Sequence, residues 1–355
     1  RPGVVQPFRR AVCHASHVNM LTTRCHGRDC AATASWPRVI MNKVCRICDH
    51  AHSGNSYTIK EMMFDTKEEF SYFKCSNCGC LQILSEPTSM EKYYPDNYYS
   101  YNSNLSLLNR TKVLLRDFLA LNGPSALFSG QNWFERGDIK SIPDAKIRRS
   151  DRILDIGCGD GWLIRALADQ GFTKVQGADP FISEDRHYSN HVSVLKRSID
   201  QITGQWDVVM MHHSLEHIWD QQAVLRNIER LLKPGGKAIL RIPTVDSYAW
   251  EKYGTDWFQI DAPRHFYLHS RNSIALLVDA AGLNVDRIVD DSHELQIIVS
   301  ERYKRGFSLV SASEEGKTNK DLFGEAFIRD AMKQSRGFNE RGEGDMIAVH
   351  ITKPV

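Results

Sequence analysis

An α/β fold built on a doubly wound, mostly parallel sheet is predicted from Asp151 onward, with a small four-cysteine module ahead of it. Three observations predict it. Short apolar runs alternate with helix-period segments after Asp151, the signature of strand–helix–strand units. The first of those strands runs straight into the glycine-rich turn Gly157-Cys-Gly-Asp-Gly161. Two C-x-x-C pairs, Cys45/Cys48 and Cys75/Cys78, precede these elements.

Composition sets the bounds. A chain of 355 residues, 42% hydrophobic and 25% charged, reads as globular with two or three domains. No stretch approaches the roughly 18 apolar residues of a membrane-spanning helix. The net charge of +2 is uneven: residues 1–40 hold six arginines against Asp29, so the remainder is slightly acidic. An acidic body argues against a nucleic-acid partner. No signal peptide is recognised, so a cytoplasmic location is expected, where C-x-x-C pairs bind metal more often than they form disulfides.

In chain order, residues 1–40 are Arg-rich, lack lysine and show no periodicity. They are expected to be disordered, either as a transit-type leader or as extra sequence ahead of Met41. Residues 41–85 form the cysteine module. Its segments Tyr57–Lys60 and Phe70–Lys74 read as short strands, and four thiolates from two knuckles match a tetrahedral structural zinc site at Cys45, Cys48, Cys75 and Cys78. Such a closed set leaves no position for catalysis, and the module's balanced charge does not suit phosphate binding. Residues 86–150 read as a tyrosine-rich linker followed by a helical segment at 103–122.

Residues 151–355 carry the alternation. Strands are predicted at Arg152–Ile156, Lys174–Ala178, Trp206–Met211, Lys237–Ile242, Val285–Asp290 and Met346–Thr352. Helices are predicted at Trp162–Gln170, Gln221–Leu232 and Ser270–Ala281, with another near Asn319–Gln334 inside a polar 302–343 insertion.

Glycines 157, 159 and 161 permit backbone angles and close approach that a Cβ would block, and such a turn at a sheet's carboxyl end forms a nucleotide crevice. The spacing is G-x-G-x-G, not the dinucleotide G-x-G-x-x-G. Asp155, two residues ahead, would repel a pyrophosphate but can accept from an ammonium group. That favours S-adenosylmethionine (SAM), with its zwitterionic tail and cationic sulfur. Asp179, 18 residues beyond Gly161, can accept from both ribose hydroxyls.

With those residues in place, the region resembles class I SAM-dependent methyltransferases. Trp206-Asp-Val-Val-Met-Met-His-His-Ser-Leu-Glu-His217 resembles the family's fourth-strand motif, and Leu232-Lys-Pro-Gly-Gly236 its turn before the fifth strand. Ser198-Ile-Asp200 lies where an adenine-contacting segment falls in that family. The resemblance spans about residues 150–300. It implies a Rossmann-like seven-stranded sheet and cofactor binding by Asp155, Gly157, Gly159, Gly161, Asp179, Ser198, Ile199, Asp200 and His212. The cysteine module followed by Tyr93-Tyr-Pro-Asp-Asn-Tyr-Tyr-Ser-Tyr101 further resembles bacterial methyltransferases of polysaccharide and deoxysugar biosynthesis. Some of those methylate sugar carbon and carry a larger C-terminal domain, so hydroxyl oxygen is the acceptor atom expected first.

In-line methyl transfer needs an aligned acceptor and often a base. His213 and His217 follow the fourth strand, and His265 lies in Asp261-Ala-Pro-Arg-His-Phe-Tyr-Leu-His-Ser270 after the fifth. These three are the candidate bases, His265 first. Arg264 could clamp a phosphate or carboxylate. Tyr267, Gln296, Tyr98 and Tyr99 complete the substrate-binding candidates. The expected function is methyl transfer from SAM to a small-molecule acceptor, most simply a hydroxyl of a nucleotide- or lipid-linked sugar. A quinone or other aromatic acceptor is the alternative. So is a zinc-bearing nucleic-acid or protein-binding module on a degenerate methyltransferase fold, which the complete glycine loop opposes. Monomer and dimer stay equally open.

Overall fold

In a computed structural model of the chain, residues 43–52, 55–94, 142, 145–189, 191–309 and 318–355 are described. The leader at 1–40, Tyr98, Tyr99 and the 103–122 helix expected from sequence lie outside them.

Strand β6 (Ile153–Ile156) is buried at all four residues, as a strand covered on both faces must be. It lies at the centre of an eight-stranded sheet. On one side it pairs in parallel with β7 (Val175–Ala178), which pairs with β9 (Val192–Leu195). On the other it pairs in parallel with β10 (Trp206–His212), which pairs with β11 (Leu232–Pro243). The chain's end then inserts β14 (Met346–Thr352) antiparallel to β11, and β13 (Asn284–Asp290) forms the edge beyond it. Six of these seven strands are the ones expected from sequence; β9, four residues long, is not among them. The eighth, β8 (Arg186–Ser189), is an antiparallel addition on β9. It is polar and mostly exposed, so no apolar alternation marked it.

Alternation along the central strands divides two cores. Ile153, Val208, Met210 and Ile239 face α1 (Trp162–Asp169), which contributes Leu163, Ile164 and Leu167. Leu154, Val209, Met211 and Leu240 face the other way. There α2 (Gln221–Leu231) buries Leu225 and Ile228, and α4 (Arg271–Asp279) buries Ile274 and Leu277. Side-chain caps fix both starts: Asp220 accepts from the Ala223 N–H at 2.9 Å and Ser270 from the Ser273 N–H at 2.8 Å.

The cysteine module joins this second core. A hairpin of β1 (Lys43–Val44) and β2 (Ala51–His52) is followed by β3 (Ser56–Lys60), β4 (Glu69–Lys74) and β5 (Leu81–Ile83). The last three form a sheet whose fourth strand, β12 (Tyr267–Leu268), comes from the loop after β11. The pairings Tyr267↔Gln82 and Leu268↔Leu81 therefore fix that loop from the module's side. Cys45, Ile59, Tyr72 and Leu81 pack in one cluster with the α2 and α4 residues.

Three helices complete the described structure: α3 (Tyr248–Tyr253), α5 (Leu295–Lys304) and α6 (Asn319–Arg341), the last kinked at Gly324. Ile297 and Ile298 of α5 pack against Ala331 and Phe338 of α6. Ser300 on α5 accepts the Phe258 N–H at 3.1 Å, bracing the start of the loop that carries Asp261 and His265. Among the described residues, no helix is long and apolar enough to cross a membrane.

One buried contact locks module to loop. Glu61 accepts the N–H groups of Met63, Phe64 and Thr66, and its Oε1 also accepts from Arg264 Nη2 at 2.9 Å. Both side chains are fully buried. Removing one partner of such a pair leaves an uncompensated buried charge, at a cost of about 3–5 kcal/mol. Glu61→Ala is expected to lose stability in that range by urea unfolding, whereas Lys60→Ala, in an exposed pair with Glu69, stays within about 1 kcal/mol of the parent.

Candidate active site

The site begins where β6 ends. Gly157, Gly159 and Gly161 all adopt left-handed φ, at 70°, 56° and 77°. A Cβ at Gly157 would fall 2.5 Å from Ser214 Cβ, and one at Gly161 2.4 Å from Val194 Cγ2. The chain turns back on itself because these positions lack side chains, and α1 then opens from Gly161 with no side-chain cap. Asp155 is buried at the strand's carboxyl end. Asp179, just past β7, accepts the Gly159 N–H at 2.8 Å and the Phe181 N–H at 2.9 Å, one on each oxygen. Its carboxylate is thus locked beside the loop with further lone pairs to offer. Ser198, Ile199 and Asp200 form a short turn after β9, closed by a Ser198–Gln201 capping box with Ile199 buried and Asp200 exposed. His212 ends β10. The structure therefore brings the expected cofactor residues to one end of the parallel strands.

A cofactor of SAM's chemistry fits this arrangement: a left-handed glycine turn at the strand ends, and two carboxylates for an ammonium group and a diol. Cys158 carries no thiolate. Burial first, then the nearby Asp155, Asp179 and Asp160 carboxylates, push its thiol well above the usual range.

Ser214 joins the loop to the second half of the site, its hydroxyl donating to the Ile156 carbonyl at 3.1 Å. Immediately on either side stand His213 and the turn Leu215–His217. Glu216 is fully buried. His213 Nδ1 lies 3.6 Å from its Oε1 and His265 Nε2 lies 4.0 Å away. Burial alone would raise this carboxyl, but the facing His213, His265 and His217 outweigh it and hold it at about 2. The reverse holds for His217, where burial and the neighbouring His265 lower the ring to about 4, so it is neutral at neutral pH. The His217 and His265 rings meet edge to face at 4.6 Å. His265 Nδ1 donates to the Gln259 carbonyl at 2.6 Å. His213 adopts a φ of 53°, and its other nitrogen abuts Arg241, which pairs with Asp291.

The three candidate bases thus converge on one carboxylate that the sequence reading passed over. Its signal was present: a glutamate flanked by His213 and His217 in a turn directly after a buried strand.

Two other expectations are corrected. Arg264 is no open anion clamp. Its guanidinium is fully buried, bound to Asp261 at 2.5 and 2.9 Å and to Glu61 at 2.9 Å, with Tyr93's carbonyl at 3.4 Å. Tyr267 does not face an acceptor either. Its hydroxyl takes a hydrogen bond from Arg46 at 2.8 Å and donates to the Trp219 carbonyl at 2.8 Å. Gln296 sits buried in α5, and its amide makes no hydrogen bond among the described residues.

The four module cysteines converge as their spacing predicted. Cys45 and Cys78 sulfurs are 3.5 Å apart, and Cys48 and Cys75 sulfurs 3.7 Å. A tetrahedral ion with metal–sulfur bonds of about 2.3 Å spaces its sulfurs by about 3.8 Å. Gln82 donates to Cys45 Sγ at 2.8 Å and Asn77 to Cys48 Sγ at 3.5 Å, as thiolates favour. The set fits zinc, and Cys80, buried beside it, lies outside the cluster.

Comparison with known proteins agrees with the fold. A family model described as a methyltransferase domain matches residues 136–288. Ubiquinone biosynthesis O-methyltransferase of Pseudomonas aeruginosa is 38% identical over 100 residues, 25% of this chain and 43% of that one. Its counterpart from Escherichia fergusonii is 31% identical over 109 residues, 28% and 45% of the two chains. The chain thus spans under half the length of these relatives. A solved putative S-adenosylmethionine-dependent methyltransferase from Listeria monocytogenes overlaps 62% of this chain and 99% of its own at 16% identity, with a TM-score of 0.40.

The loop geometry makes a direct prediction. Gly157→Ala adds both a strained φ and a clash with Ser214, so it is expected to cost about 1–3 kcal/mol in thermal unfolding. Gly282→Ala, with the same sign of φ but open space around it, isolates the strain from the clash.

Proposed function

We propose that the chain, which carries a class I methyltransferase domain of the Rossmann-like α/β type, transfers a methyl group from SAM to a hydroxyl oxygen of a small-molecule acceptor. The observation that carries this reading is the left-handed Gly157–Gly161 turn flanked by the buried Asp155 and the backbone-locked Asp179. When bound, SAM supplies a methyl group on a cationic sulfur. Asp155 is assigned to the ammonium group, Asp179 to the ribose hydroxyls, and Ser198, Ile199 and Asp200 to the adenine side, with His212 at the strand end. Ser214 sets this half against the histidines, so the acceptor is assigned to the space at His213, Glu216 and His265. His265 and His217 are the rings assigned to receive the hydroxyl proton, since the Arg241 guanidinium already engages His213.

For the acceptor class we propose a nucleotide- or lipid-linked sugar, on the resemblance carried by the cysteine module and the tyrosine cluster. A phenolic or quinone-type acceptor is the second reading, favoured by the names of the curated relatives. Radiolabelled methyl transfer to panels of nucleotide sugars and of catechols separates the two. Failure with both, in protein that binds SAM, would sink hydroxyl methylation of either class.

Two variants test the parts. Asp179→Ala removes a charged hydrogen-bond acceptor worth about 1.5–3 kcal/mol, so calorimetry should show SAM binding weakened about 10- to 100-fold. Zinc is proposed as the occupant of the cysteine cluster. Elemental analysis should find about one ion per chain, lost in Cys78→Ser. That loss is expected to lower acceptor turnover more than SAM affinity, because the module holds the acceptor loop through β12 and Glu61.

A further inference from the structure

We infer that Glu216, His217 and His265 form a binding site for a divalent transition-metal ion, separate from the cysteine cluster. Each offers one ligand atom, and the three atoms lie within 4.8 Å of one another.

The ring orientations point to ligation. His217 Nδ1 is 3.0 Å from the Arg264 carbonyl and His265 Nδ1 is 2.6 Å from the Gln259 carbonyl. A carbonyl only accepts, so each Nδ1 bears the hydrogen and Nε2 is the ring nitrogen left to ligate. A backbone carbonyl behind the far nitrogen is the support that metal-bound histidines receive.

The carboxylate supplies the independent observation. Glu216 is fully buried, and among the described residues neither oxygen makes a hydrogen bond. Its nearest ring nitrogens stand 3.6 and 4.0 Å away, too far for a good hydrogen bond. Nearby cations are already engaged: Arg264 by Asp261 and Glu61, and Arg241 by Asp291. A buried carboxylate with the ring nitrogens of His217 and His265 beside it is a site a positive ion can fill.

Two imidazoles and one carboxylate suit zinc, iron, cobalt or nickel better than magnesium or calcium. They also leave coordination positions open, unlike four thiolates. Bonds of about 2.0–2.2 Å bring neighbouring ligand atoms to about 3.4 Å, so binding draws the cluster inward. On the methyl-transfer reading, on which this last step rests, an open position would hold the acceptor's hydroxyl oxygen.

Cobalt(II) is the probe, titrated by calorimetry into full-length protein that carries one zinc per chain at the cysteine cluster and no excess zinc, with SAM affinity measured on the same samples. The parent should bind about one further ion per chain, and His265→Ala should weaken it about 10- to 100-fold while retaining SAM affinity. Glu216→Gln, of the same shape, repeats the test if the alanine variant does not fold. A parent that binds SAM but no added cobalt, or cobalt binding unchanged in both variants, overturns the metal site and leaves methyl transfer standing. A parent that takes cobalt but not SAM overturns the methyl-transfer reading and leaves the site.

Discussion

The Arg264 guanidinium, sealed between Asp261 and Glu61, is the constraint on which the acceptor side depends. Burying one cation and two carboxylates costs several kcal/mol per ion unless every lone pair and proton is satisfied. Here Glu61 also accepts three backbone N–H groups, which pins the module loop at 61–66. Asp261 is held below the ordinary carboxylate range because Arg264 outweighs the burial that would raise it. Asp261 therefore stays ionised through neutral pH. Its consequence reaches the site by two routes. Arg264's own carbonyl accepts His217 Nδ1, and the next residue in the chain is His265. A shift of this one side chain would move both rings.

The cysteine module and the loop after β11 are built as one unit. Its knuckles stand on the strands that lead to β5, and β5 pairs with β12 two residues after His265. Tyr72 on β4 donates to the His265 carbonyl at 2.9 Å. The module thus braces the loop that carries His265. The α1 face of the sheet needs no such support, since the glycine loop and Asp179 are held by backbone hydrogen bonds of the sheet itself.

Sequence disclosed the parts whose physics is local. The strand-to-glycine turn, the parallel strands and the two cysteine knuckles all follow from contiguous patterns, and the fold and the cysteine cluster could be read from them. What it hid is non-local. Arg264 read as an exposed clamp because its partner Glu61 lies 203 residues away. Tyr267 was hidden likewise, its hydroxyl shared between Arg46 and Trp219. The helix α5 shows almost no one-sided apolar pattern because it is buried nearly all round, so Gln296 was placed without a helix to carry it. Glu216 escaped because a charged residue between two histidines reads as solvent-facing until the turn that buries it is known.

The division between shared and added parts bears on specificity. The methyltransferase family model spans 136–288 and contains the glycine loop, Asp179, the Leu215–His217 turn and the Asp261–Ser270 loop. Glu61, Tyr72 and α5 all lie outside it. Those outside elements hold the loop through Glu61–Arg264, Tyr72–His265 and Ser300–Phe258 contacts. On the proposed reading, the domain common to many methyltransferases positions the donor, while parts foreign to it shape the space for the acceptor. Shared identity over about a quarter of the chain is then compatible with a different acceptor, because binding energy that discriminates acceptors is set by what lines their pocket. On that reading, the determinants of acceptor choice belong to the module and to α5, which hold the loop that carries His265.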